Sequence, residues 1–156
     1  MGKLSRRKGK TFEQHIATQY RLLWPDAEVR RSLQAHKPYE PDVVVVHPKL
    51  SWVTALWTEC QHAKESTPGA KLQQAERDVQ EWEARQTDRH SKRLPIVVWK
   101  THGSGVVRLT TRLWVLVQMT TKDDRYPPDL IQLRDGAEDM VITTDFQSWI
   151  TLIKRA

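Results

Sequence analysis

Glu13, Asp42 and Glu59 are carboxylates whose settings bring them together once the chain folds. Asp42 opens the run Pro41-Asp-Val-Val-Val-Val46, and Glu59 lies in the next strand-like run, Trp52 to Gln61. Two carboxylates at the ends of adjacent strands make a site for a hard divalent cation, which takes oxygen ligands. Such a cation activates water and stabilises charge developing on a phosphate. Glu59 and Gln61 share one face of a strand while Cys60 points to the other. A carboxylate and a carboxamide at a strand's exit can serve a metal and a water together, with the Cys60 backbone carbonyl as an extra ligand. Singly, each residue has a plainer reading: Asp42 as a turn residue, Glu13 as a solvated helix carboxylate, Glu59 as a polar strand residue. The three in order, with basic residues between them, point to a metal-dependent nuclease.

The charge distribution supports that expectation. Residues 1–37 hold nine Lys and Arg against three acids, and the remainder holds sixteen of each sign, so the whole net charge of +6 lies in the first quarter. A positive field beside an acidic cluster fits a phosphate backbone held over a metal site. Arg6, Arg7, Lys8, Lys10, Arg30, Arg31 and Lys37 are the expected phosphate grips. Grips of this kind read shape, because phosphate contacts carry no base identity.

The elements that must position these groups follow from periodicity. Residues 1–10 read as a flexible basic segment ahead of a single domain over 11–156. Phe12, Ile16, Tyr20, Leu23 and Trp24 recur at helical spacing, Thr11 and Gln14 fit a capping box, and Pro25 ends the helix. Strands are expected at 28–31, 41–46, 52–61, 94–99, 105–109 and 113–117. A helix fits 70–85, with Leu72, Ala75, Val79 and Trp82 as its apolar stripe, and Asp145 caps a last helix over 146–155. This order predicts an α/β fold, helices flanking a central mixed β-sheet. Of seven tryptophans, Trp24, Trp82, Trp99 and Trp149 fit core positions, while Trp52, Trp57 and Trp114 are candidates to stack on bases. A single cysteine excludes an intrachain disulfide framework. No apolar run approaches the roughly 18 residues of a membrane span; no signal peptide is evident, and cytoplasmic residence is the default.

Arg7-Lys8-Gly9 followed by Glu13, then Arg30-Arg31-Ser32, Pro41-Asp42 and Glu59-Cys60-Gln61, resembles the archaeal-type Holliday junction resolvases of the PD-(D/E)xK nuclease superfamily. The likeness covers roughly residues 5 to 100. It implies a restriction-endonuclease-like fold and a homodimer that cuts two strands of a four-way DNA junction with magnesium or manganese. Glu13, Asp42 and Glu59 fall on the family's acidic positions, and Arg30 or Arg31 with Ser32 on a basic residue and a serine that matter there. The family's catalytic lysine falls on Gln61, where this chain departs. Glutamine is neutral and acts on water only by hydrogen bonding; Lys64, three residues on, is the candidate to reach back. Other activities of the superfamily (restriction, flap- or end-directed repair), a non-catalytic junction-binding protein and an RNA-binding module stay open.

Overall fold

A computed structural model describes residues 2–33, 40–87, 92–121 and 140–155. Among these, six strands form one sheet in the order β1-β2-β3-β4-β5-β6: Glu28–Arg31, Val43–Val46, Leu56–Ala63, Leu94–Thr101, Arg108–Arg112 and Val141–Asp145. Neighbours are antiparallel except β3 and β4, which run parallel with Leu56 opposite Leu94 and Ala63 opposite Thr101. A parallel pair needs a crossover, and helix α3, Pro68–Arg85, supplies it. The α/β class and the mixed, helix-flanked sheet expected from the sequence are therefore present.

The two faces of the sheet carry different loads. On one, Phe12, Ile16, Ala17 and Tyr20 of α1 (Gly2–Leu23) join Val43, Val45, Leu56, Ile96, Val98 and Leu109 in the main core. The helices α2 (Ser51–Thr54), α4 (Leu113–Thr121) and α5 (Phe146–Arg155) add Trp52, Val53, Val115, Met119, Phe146 and Trp149 to it. On the other, Trp57 packs with Ala75 and Val79 of α3, flanked by Trp82. Strand alternation therefore gives Thr58 and Cys60 to the α1 face and Trp57, Glu59 and Gln61 to the α3 face. The hydroxyl pair Tyr20–Thr58, 2.9 Å apart and buried, ties α1 to the centre of β3.

Several local expectations are corrected. Helix α1 starts at Gly2, not Thr11, because Arg and Lys are good helix formers and no proline interrupts the segment. Thr11 lies mid-helix, its hydroxyl donating to the Arg7 carbonyl at 2.9 Å, and so caps nothing. The 52–61 run splits: 51–54 is a helical turn and β3 begins at Leu56. The His47 imidazole accepts from the Lys49 and Leu50 amides, and Thr54 closes back on His47, folding the chain over Pro48. Trp52 and Trp57 are buried, which removes them as base-stacking surfaces. Leu113–Val117 is helical: five apolar residues in a row carry no period, and the buried pair Val115 and Met119 is spaced four apart. Strand β5 starts three residues later than expected, because Gly103, at φ 78°, turns the chain out of β4 before it re-enters the sheet. Asp145 does cap α5, accepting from the Ser148 amide at 3.0 Å. Strand β6 was not foreseen. No described helix is long and apolar enough to cross a membrane.

Candidate active site

The site forms where β2 runs out. Val43 pairs with Thr58, and one further antiparallel step puts Asp42 opposite Glu59. Alternation places both on the α3 face. The Asp42 carboxylate accepts from the Cys60 amide at 2.9 Å, so it lies against β3 where β2 no longer pairs with it. The Cys60 carbonyl leaves the same side of the strand as its N–H, beside that carboxylate. Asp42 is 9% exposed and Glu59 4%. Two of the three expected acids thus meet at the sheet margin.

The third group at the site is one the sequence reading passed over. Lys71, one turn into α3, places Nζ 2.9 Å from Glu59 Oε2, with 21% of its side chain exposed against 5% for Glu59. Burial alone would lower the ammonium pKa, but Glu59 and then Asp42 outweigh it, and the net displacement is upward. The ammonium therefore stays charged against Glu59, within the field of Asp42. The second Glu59 oxygen accepts from the Trp57 indole at 3.2 Å. A signal for Lys71 existed: it falls four and eight residues before Ala75 and Val79, at the head of a buried stripe where a lysine needs a partner.

Gln61 does not sit over the carboxylates as a free water-orienting group. Its Oε1 accepts from the Thr67 amide at 2.9 Å and its Nε2 donates to the Thr67 hydroxyl at 3.3 Å. Thr67 is the residue that opens α3, so Gln61 fixes the helix end from which Lys71 reaches back. Gln61 thus anchors the end of the helix that carries Lys71. Lys64 is exposed beyond the end of β3 and takes no part in the ion pair.

Glu13 comes from the α1 face. Its Oε2 accepts from Arg31 Nε and Nη2 at 3.0 and 2.7 Å, so it braces α1 against β1. It lies near enough to act on Cys60: burial first, then Asp42, Glu13 and Glu59, push that thiol well up, with Lys71 opposing. A thiol held protonated is no nucleophile. Arg30 is also engaged, forming a two-pronged pair with Glu40 at 3.1 and 2.7 Å, and the Ser32 hydroxyl donates to Glu40 at 2.8 Å. These contacts join Arg30 and Ser32 to Glu40, as Glu13 is joined to Arg31, while 42% of the Arg30 side chain stays exposed. Lys37 lies outside the described residues. Arg6, Arg7, Lys8 and Lys10 are exposed along α1, as phosphate grips require.

The donor set suits an oxygen-ligated cation only in part. Asp42, Glu59 and the Cys60 carbonyl are hard oxygens, and magnesium commonly takes one or two carboxylates, leaving its other positions to water and phosphate. Among the described residues no three Asp, Glu, His or Cys side chains are grouped as a full metal cage. With Glu13 held by Arg31, these groups would offer a cation two carboxylates and one carbonyl. No family model and no curated protein matches the chain.

Proposed function

We propose that the chain is a structure-selective, metal-dependent endonuclease acting on branched DNA, with the four-way junction as its substrate and a homodimer as its working form. The observation that carries this reading is the buried cluster Asp42–Glu59–Lys71 at the margin of a sheet whose other flank presents the basic helix α1. Burying two carboxylates beside a lysine is expensive for a purely structural purpose. A magnesium or manganese ion, when held by Asp42, Glu59 and the Cys60 carbonyl, supplies a water of lowered pKa and charge against the phosphate. Lys71 contributes the positive charge that the superfamily draws from the strand position now occupied by Gln61. Gln61 is a positioning residue that acts through Thr67. Arg6, Arg7, Lys8 and Lys10 hold the backbone without reading sequence. Paired incision across a symmetric junction calls for two sites related by a dyad.

The decisive experiment incubates the protein with a synthetic four-way junction and each divalent metal in turn, mapping nicks on all four strands. Symmetric paired nicks that require metal are expected. Equal cutting of junction, flap and linear duplex would move the assignment to another nuclease activity. One observation favours a second reading: Glu13 is committed to Arg31 and Gln61 to Thr67, which leaves two carboxylates for a cation. A non-catalytic junction-binding protein accounts for that, and tight binding without cleavage across magnesium and manganese titrations would establish it.

A further inference from the structure

On the α1 face, past the end of the acidic cluster, α1 and the ends of β3 and β4 enclose an open cleft with a cavity volume of about 460 Å³. Arg7 and Lys8 line it from α1 and Lys100 from β4. Among the described residues none of these three cations is in a salt bridge. Two imidazoles complete the wall: His15 from α1 and His62, which pairs in register with Lys100. The floor is the buried ring of Phe12, with Lys100 Nζ 5.5 Å from its centroid and the His62 ring 5.6 Å away. The aromatic floor packs against Lys100 and the His62 ring, while Arg7 and Lys8 reach in from the exposed side of α1. Cations converging on a concave site without a carboxylate between them lack an anion of their own.

We infer that this cleft is a phosphate subsite, which takes one phosphate of the nucleic-acid strand adjacent to the acidic cluster. This deepens the nuclease reading and rests on it for the identity of the phosphate's owner. His62 lies three residues past Glu59 along β3, roughly 10 Å at strand rise, and Phe12 directly precedes Glu13. A strand crossing the sheet margin therefore meets the cleft within a few nucleotides. Neither Lys100 nor His15 lies in the basic N-terminal run that marks the chain as a polyanion binder; the fold brings them to Arg7 and Lys8.

The test uses the full chain in EDTA, so that no cleavage step enters it. Duplex DNA affinity is measured by fluorescence anisotropy against salt for wild type, Lys8→Gln, Lys100→Met and a charge-matched control, Arg108→Gln. Arg108 pairs with Trp99, on the sheet face away from Lys100. Each cleft variant should flatten the log–log salt slope by about 0.9, one phosphate contact, while the control leaves it unchanged. Oligonucleotides with a 5′-phosphate or a 5′-hydroxyl separate the two sources. A preference for the phosphate that disappears in Lys100→Met identifies a terminal monoester. Equal affinities with a flattened slope identify an internal diester. Lys8 is exposed on a helix, so its variant folds even if Lys100→Met does not, and inorganic phosphate titrated into wild-type protein should shift the His62 and His15 ring resonances. Unchanged slopes in both variants together with unmoved histidine signals would overturn the subsite. That outcome leaves the metal-dependent cutting assay untouched, and a protein that never cuts can still show the flattened slopes.

Discussion

Lys71→Met removes the ammonium and leaves Glu59 buried with its indole partner but no counter-charge. Deleting one partner of a buried ion pair costs about 3–5 kcal/mol, because the remaining charge is uncompensated. The Lys71 side chain is 21% exposed, and water admitted through that opening brings the expectation to about 2–4 kcal/mol. For a chain of this size that lowers Tm by about 5–15 °C. The pH dependence has a definite sign. In the wild type the Lys71 pKa is raised above 10.5, so its contribution is complete below that pH and is lost as pH climbs through the folded value. The Tm gap between variant and wild type should therefore be full at pH 5 and at pH 8 and close only as pH climbs above 10.5. Adding Glu59→Gln should restore most of the loss, since the two sites are in contact and their effects do not add. Calorimetry of the four proteins at pH 5 and 8 closes the cycle. A Lys71→Met protein melting with wild type at pH 8, or a double variant no better than the single, would refute the buried-pair account.

Glu59→Gln and Asp42→Asn should each abolish junction cleavage while leaving junction affinity within about twofold of wild type; loss of binding in folded protein would deny that division of labour. Lys71→Met should lower the cleavage rate about 10²–10³-fold in single-turnover assays below its melting range, the size of one electrostatic contact to developing charge. Gln61→Ala should disturb the Thr67 turn, giving a smaller stability loss of about 1 kcal/mol and a partial fall in rate; a Gln61→Ala protein with no cleavage at all would return the water-orienting role to that side chain. Tyr20→Phe strands the buried Thr58 hydroxyl and should cost about 1–2 kcal/mol by denaturant titration, whereas Tyr20→Phe with Thr58→Val should be close to neutral.

The sequence displayed the parts of the fold whose pattern has a period. Phe12, Ile16 and Tyr20 mark the α1 stripe, and Leu72, Ala75 and Val79 the α3 stripe, because one face of each helix is buried. Asp42 was legible as a strand-end acid, whereas Glu59, expected at a strand's exit, stands fourth of the eight residues of β3, past the point where β2 pairs with it. The run 113–117 was not legible: apolar all along, it fits a strand or a buried helix, and packing of Val115 and Met119 decided. Lys71 was not legible because its ammonium reaches Glu59 from the following helix, ten residues beyond Gln61, and only folding brings the two together. Arg30 and Arg31 read as free cations since a sequence shows charge without partners; Glu40 and Glu13 are joined to them only by folding.

The brevity of β2 explains why the site is where it is. Strand β3 runs eight residues, from Leu56 to Ala63, yet its paired contact with β2 is at Val43–Thr58, so beyond Thr58 its β2 side needs other partners. A buried amide without an acceptor is costly, and the Asp42 side chain takes the Cys60 amide in place of a strand. Asp42 is then both the patch on an abandoned ladder and half of the carboxylate pair. The two roles are separable. Asp42→Asn keeps a carbonyl oxygen for the Cys60 amide and removes only charge, so it should melt close to wild type while failing to cut. Asp42→Ala removes the acceptor as well and should lose about 1–3 kcal/mol by leaving that amide unsatisfied. Equal melting temperatures for the two variants would show that water, not Asp42, satisfies β3 at its margin, and the geometric reason for placing the site there would fall with it.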